Sequence, residues 1–398
     1  MSIRALTKKF KPLGGKLEEV SFLIVDDESL MQVMVRQMLR DNGALNMRFA
    51  DSGIEAFHML KAQPSQVVIT DWHMPRMTGA ELLQAIKNDP ELFTIQVLLI
   101  SSERSPLWVL HAFEEGVDGF LVKPFNPKDL LQAVLKLLDK GASAGKRRVD
   151  EVIRLKLMGH FQEAIELGEQ LLGEEGEGEV SMALADCHYR TGQLDKALER
   201  AEAAMEKNPD SKTMSLMGKI HMEKGNFEEA VAILQQAVDK NSLNFTSRME
   251  LATALIKGDR IEDGRKLLDA AAEEKLTDMN LVELAKCYLL CTDVERAAAL
   301  LNQSRDPLPQ TAPIFNACGA ALWKRGSREE GLKLYKKCIK ISPDYSNAHY
   351  NLGLAYCLMG SYVEAKTALE SAIRLKPDLK AAKELLDYVK QKQPTSVQ

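Results

Sequence analysis

Five short, almost wholly apolar runs punctuate the first third of the chain, at residues 22–25, 47–50, 67–69, 97–100 and 120–122. Runs this uniform suit strands covered on both faces, as in a parallel sheet. The stretches between them read as helices with recognisable ends. Ser105-Pro106 and Asn126-Pro127 each place a capping side chain before a proline at the first helical position, and Gly116 suits the stop of the helix begun at Pro106. Alternating strands and helices of this kind predict an α/β fold, a doubly wound five-stranded parallel sheet.

Beyond a small-residue stretch at 141–145 the pattern becomes repetitive. A small residue in the second helix of each predicted pair recurs at Ala164, Ala197, Ala230, Gly264, Ala297, Gly331 and Ala365, in steps of 33 or 34. A glycine lies five residues earlier at Gly159, Gly192, Gly225, Gly326 and Gly360. First helices carry pairs such as Leu184-Ala185, Met217-Gly218 and Leu352-Gly353, and Pro209, Pro343 and Pro377 close three units. Small residues belong where two antiparallel helices cross, because a larger side chain would force them apart. No such pair buries its apolar face alone, so neighbours stack into an all-α solenoid. The expected layout is a tail over 1–20, the α/β domain over 21–140, a linker over 141–147 and about seven repeats over 148–378. A capping helix at 379–391 and a disordered tail at 392–398 complete it.

Charge and cysteine content narrow the partners. The net charge is −5, with 16 basic and 18 acidic side chains in the first 145 residues and 36 and 39 in the rest. Neither part is basic, so no nucleic-acid partner is expected. No apolar run reaches the length of a membrane span and the N-terminus lacks a signal-peptide core, so the expectation is a cytoplasmic protein without a membrane partner. Six cysteines without CxxC spacing point away from disulfides and zinc, and Cys287 and Cys291, four apart, read as small buried residues.

Chemistry gathers at the strand ends. Asp26 and Asp27 follow the first run, Asp71 the third, Ser101 ends the fourth and Lys123 the fifth. In doubly wound sheets, sites form beyond the carboxyl ends of the strands. Three carboxylates in one crevice repel each other and need a cation. Magnesium suits them, being bound by hard oxygen ligands. Asp71 is then placed as a nucleophile towards a phosphoryl donor, with Lys123 and the metal stabilising phosphoryl charge and Ser101 donating to the attached group.

The segments LIVDDES (23–29), TDWHMPRMTG (70–79), LLISSE (98–103) and GFLVKPF (119–125) resemble the receiver domain of response regulators, over residues 21–139. The likeness is to CheY-like receivers, which have a flavodoxin-like fold. It implies that Asp71 is the phosphoacceptor, that Asp26, Asp27, Asp71 and the main-chain carbonyl of His73 hold Mg2+, and that Lys123 contacts the phosphoryl group. It further implies that Ser101 is the switch hydroxyl and Phe120 the switch aromatic. The implied donor is a histidine kinase or a phosphotransfer domain. Ser101 stands where threonine is frequent. His73 replaces a more familiar asparagine, and together with Glu103 it occupies positions that tune dephosphorylation.

The second part resembles the tetratricopeptide repeat, most closely over 351–377, with units one, four and five degenerate. Groove-facing candidates are Met182, Tyr189, Met222, Trp323 and Tyr350, whose alternative reading is packing between repeats. The helix from Pro106 has more apolar positions than one buried stripe needs. Trp108 is therefore expected to be exposed in a docking face, the alternative being packing on a neighbouring helix. The functional expectation is a two-component response regulator that gates protein binding by its repeats and catalyses nothing beyond its own phosphorylation and dephosphorylation. Its expected partners are a kinase or phosphotransfer protein and an unknown protein or peptide in the groove, with a receiver-mediated dimer left open. A phosphate sink for a shared kinase and a constitutive scaffold with a vestigial receiver are the alternatives.

Overall fold

The computed structural model describes residues 17–75, 77–140, 144–174, 176–305 and 307–392. Residues 1–16 of the expected tail over 1–20, and 393–398 of the expected tail over 392–398, lie outside the described residues. Two compact units divide the chain, Met1–Ser247 and Arg248–Gln398.

The first unit opens with five parallel strands, β1 (Ser21–Val25), β2 (Asn46–Ala50), β3 (Val67–Asp71), β4 (Gln96–Ser101) and β5 (Gly119–Val122), in the order β2-β1-β3-β4-β5. Helices α1 (Ser29–Arg40), α2 (Gly53–Ala62), α3 (Gly79–Lys87), α4 (Pro106–Glu115) and α5 (Pro127–Lys140) connect and follow them. Alternate strand residues feed two cores, because side chains alternate across a strand. Phe22, Ile24, Val67, Ile69, Leu98 and Ile100 pack with Val35 and Leu39 of α1 and Leu130 and Val134 of α5. Leu23, Val25, Val68, Val97 and Leu99 pack with Leu60 of α2, Leu82 and Ile86 of α3 and Ala112 of α4. Fully burying one such side chain contributes about 1.5–3 kcal/mol.

The helix ends follow the local chemistry. Ser105 accepts from the Trp108 amide, with Pro106 in the first turn, and Gly116 ends α4 at φ 104°. Asn126 Oδ1 accepts from the Lys128 and Asp129 amides at the start of α5. Thr78 and Glu81 form a reciprocal capping box at the start of α3.

Two boundaries differ from expectation. Leu17 and Val20 are buried in the core beside α1 and α5, so the end of the expected tail is part of the α/β domain. Their side chains are apolar, and the sheet offers a face to cover. A helix starts at Ala144, inside the expected linker. Glycine and serine favour a flexible link locally, but burial of Val149 and Val152 further along holds this helix in place.

The rest of the first unit contains α6 (Ala144–Leu157), α7 (Phe161–Glu169), α8 (Glu177–Arg190), α9 (Leu194–Lys207), α10 (Ser211–Glu223) and α11 (Phe227–Lys240). The unit division falls within α12 (Phe245–Lys257). The second unit continues with α13 (Ile261–Ala272), α14 (Asp278–Leu290), α15 (Val294–Gln303), α16 (Ala312–Lys324), α17 (Arg328–Ile341), α18 (Ser346–Leu358), α19 (Tyr362–Leu375) and α20 (Lys380–Lys392). The small residues sit at the helix crossings as their type requires: Ala164, Ala197, Ala230, Ala297 and Ala365 are fully buried. A Cβ on Gly331 would lie 2.9 Å from the Gly319 carbonyl oxygen.

Candidate functional site

The sheet order reverses between β1 and β3, and the crevice beyond their carboxyl ends holds the acidic residues. Asp26 follows β1 directly and Asp71 is the last residue of β3. The Lys123 ammonium, one residue past β5, lies 2.6 Å from Asp71 Oδ1 and 3.4 Å from Asp26 Oδ2. Backbone amides orient both carboxylates: Glu28 N–H donates to Asp26 Oδ1 at 2.8 Å, and His73 N–H donates to Asp71 Oδ2 at 2.9 Å. Burial, chiefly, and the nearby Asp71 charge push the Asp26 carboxyl above its usual range, against the Glu28 amide and Lys123, which lower it. Ser101 is buried at the end of β4, its hydroxyl accepting from the Glu103 amide at 3.1 Å. Its carbonyl accepts from the Lys123 amide at 2.8 Å. The Lys123-Pro124 peptide is cis.

Among the sequence candidates, the structure brings Asp26, Asp71 and Lys123 into direct contact and places Ser101 on the adjacent strand end. Asp27 and His73 are exposed, and Glu103 is half-buried. Phe120 is half-buried against the core that contains Leu99 and Ala112.

Comparisons with known proteins agree with this geometry. A response regulator receiver domain model matches residues 22–135. Tetratricopeptide repeat models match residues 155–220, 221–283 and 346–379, and a TPR repeat model matches 319–360. Chemotaxis protein CheY-3 of Vibrio cholerae is 39% identical over 123 residues, which are 31% of this chain and 95% of that protein. The chain belongs to the response regulator receiver family. Chemotaxis protein CheY of Pseudomonas aeruginosa is 36% identical over 30% of this chain and 98% of its own. Among solved structures, the chemotaxis response regulator CheY4 of Vibrio cholerae matches at 32% identity over 30% of this chain and 98% of its own, with a TM-score of 0.29. The family models and the Vibrio cholerae relative make the α/β domain a receiver similar to CheY, followed by tetratricopeptide repeats.

Receiver domains in general bind Mg2+, and the donors here suit that ion. Asp26 and Asp71 offer hard oxygens, and a buried carboxylate held near a second one is relieved by a cation. Among the described residues no three His, Cys, Asp or Glu side chains converge as a cage. Magnesium asks for no cage, since it keeps several waters beside one or two carboxylates.

The receiver also contains contributors that strand-end reasoning did not single out. A Cβ on Gly79 would sit 2.0 Å from the Asp71 carbonyl oxygen, so only glycine lets the start of α3 approach Asp71. The signal was available as the last letter of TDWHMPRMTG. Trp72 follows Asp71 directly, is buried, and meets Trp108 edge-on at 5.0 Å and His111 at 5.8 Å.

Trp108 is thus half-buried against the receiver's own core, which corrects the expectation of an exposed docking residue. The surplus apolar positions of α4 are Leu107, Leu110 and Phe113, 36–47% exposed. Spacing could not say which apolar residues of α4 face the sheet.

In the repeats, Met182 and Tyr189 pack half-buried in the cluster of Ala197, Leu216 and Ile220. Trp323 packs beside Tyr335 and Leu352, and Tyr350 beside Cys357 and Leu369. All four join packing clusters of the repeats, while Met222 is half-buried.

Proposed function

We propose that this response regulator accepts a phosphoryl group on Asp71 from the phosphohistidine of a kinase or phosphotransfer protein, and that the state of Asp71 gates protein binding by its tetratricopeptide repeats. The observation that carries the reading is the Lys123 ammonium held 2.6 Å from Asp71 Oδ1 at the topological switch point. An Asp71 carboxylate oxygen attacks the donor phosphorus. An O–P bond forms, the N–P bond breaks, and the imidazole leaves with the bonding pair and takes a proton from water. Lys123 neutralises charge on the transferred oxygens, and the His73 amide fixes the other Asp71 oxygen. Mg2+ bound by Asp26 and Asp71 would supply further neutralisation of phosphoryl charge.

Leu30, Val33 and Met34 are exposed on α1, the helix that begins three residues past Asp26, and offer an apolar landing surface for the donor protein. No helix among the described residues is long and apolar enough to cross a membrane. The protein turns over no external substrate in this reading.

The test is labelling of the full chain by acetyl phosphate with Mg2+, read by intact mass, followed by partner capture with and without donor. Wild type should gain one phosphoryl group and Asp71→Ala none, and partner affinity should change only in wild type. Equal affinity of labelled wild type and Asp71→Ala would overturn the gating.

A further inference from the structure

The carboxylates of the crevice are only as well placed as the backbone that carries them. Asp26 stands where β1 gives way to α1, and this helix begins without a side-chain cap, since Glu28 at its N-cap makes no capping bond. The junction is held from further along the helix. Gln32 Nε2 reaches back to donate to the Asp26 carbonyl oxygen at 2.8 Å, the Ala50 carbonyl oxygen at 3.1 Å and Asp51 Oδ1 at 2.8 Å.

One side-chain amide therefore ties α1 to the ends of both β1 and β2. Its anchor on the β2 side is itself fixed. The Ala50 carbonyl also accepts from the Asp26 amide at 3.2 Å, and the Asp51 amide donates to Glu55 Oε2 at 2.9 Å. Ser52 caps the start of α2 by accepting from the Glu55 amide. Asp26 is thus gripped at three points: its amide on Ala50, its carbonyl on Gln32, and its carboxylate Oδ1 on the Glu28 amide at 2.8 Å. Asp26 is buried and Gln32 half-buried.

The side-chain amide carries two hydrogens, and three oxygens share them. None of these bonds has a substitute among the capping groups of α1, so loss of the donor frees the peptide that follows Asp26. A buried carboxylate turns with its peptide. Groups that hold a metal's carboxylates in orientation set its affinity nearly as much as the carboxylates themselves.

We propose that Gln32 is a positioning residue for the acidic crevice: by holding the Asp26 carbonyl against the end of β2, it keeps the Asp26 carboxylate aimed for Mg2+. The inference rests on the reading above, in which Asp26 and Asp71 hold that ion while Asp71 accepts phosphate. Gln32 touches neither the ion nor the phosphoryl group and acts through Asp26 alone.

Mg2+ titration of the full chain tests the role. The urea midpoint of wild type should rise with Mg2+ and define a half-saturating concentration. Gln32→Met keeps the length of the side chain and removes the donor, and should raise that concentration about tenfold. Gln32→Ala should do the same, so either variant that unfolds cooperatively decides. Gln32→Arg restores N–H donors on a side chain of sufficient reach, and should return the value to within about threefold of wild type. Acetyl-phosphate labelling of Gln32→Met should be slow at limiting Mg2+ and regain the wild-type rate once Mg2+ saturates. A rate that stays low at saturating Mg2+ would overturn the role, as would an unchanged half-saturating concentration in the donor-less variants or a Gln32→Arg chain as impaired as Gln32→Met. A wild type whose midpoint ignores Mg2+ would overturn the role together with the Mg2+ site. A wild type that responds to Mg2+ yet stays unlabelled would overturn the proposed function alone, and the midpoints would still decide the role of Gln32.

Discussion

Asp26 shows how the site trades stability for chemistry. Its pKa is raised in the fold, mainly by burial, so the folded chain favours the neutral carboxyl. The sign follows from linkage. The group favours folding only at low pH, and it costs stability once pH has risen through its raised folded value. Asp26→Asn should therefore raise stability by about 1 kcal/mol in urea unfolding at neutral pH without divalent ions. Added Mg2+ should raise the wild-type midpoint and leave that of the variant nearly unchanged. Gly79 behaves oppositely. An added methyl would meet the backbone oxygen of Asp71, which cannot turn aside. Gly79→Ala should cost roughly 2 kcal/mol or more, seen in urea unfolding, and should sharply slow acetyl-phosphate labelling.

Single elements carry a second kind of strain. The turn between paired helices needs a left-handed residue, and glycine provides it at Gly159, Gly192, Gly225, Gly326 and Gly360, with φ between 76° and 92°. In the two repeats that lack this glycine the place is held by Asp259 at φ 61° and Thr292 at φ 59°. A β-branched residue tolerates this region poorly, and aspartate somewhat better. Thr292→Gly should stabilise the second unit by about 0.5–1 kcal/mol, with a smaller gain for Asp259→Gly, each read from the urea midpoint. The absence of glycine was visible in the sequence, but only the backbone shows that the turn keeps its left-handed geometry without it. Helix α4 gives the converse lesson. Its ends were legible in Ser105-Pro106 and Gly116, whereas the direction of Trp108 was not. A ten-residue helix with surplus apolar positions has no single periodic solution, and the core partner, Trp72, comes from another element.

Across the whole molecule the cysteines report the packing of the repeats. Burial pushes the thiols of Cys187 and Cys287 up to about 11 and those of Cys318 and Cys338 up to about 12. Cys357 is also buried, and Cys291 is half-buried. At pH 8 a thiol reagent should modify Cys291 rapidly in the native chain and the other five only on unfolding, counted by mass after timed quenching. Because these raised thiols keep their protons in the fold, their stabilisation is full below the ordinary thiol value near 9 and declines as pH climbs towards about 11 for Cys187 and Cys287 and about 12 for Cys318 and Cys338. Urea midpoints should accordingly fall across that window.

The sequence by itself determined the strands, the repeat spacing and the identity of the acidic residues at the strand ends. These depend on local periodicity and on the few residue types able to cap, turn or cross. Tertiary structure decided which groups meet: Lys123 spanning Asp26 and Asp71, Leu17 joining the core, a helix claiming Ala144, and Glu114 reaching Ser211 and Asn241. Those contacts join residues up to 127 positions apart. Spacing along a chain records which face a residue occupies, while the partner on that face is chosen by the packing of distant segments.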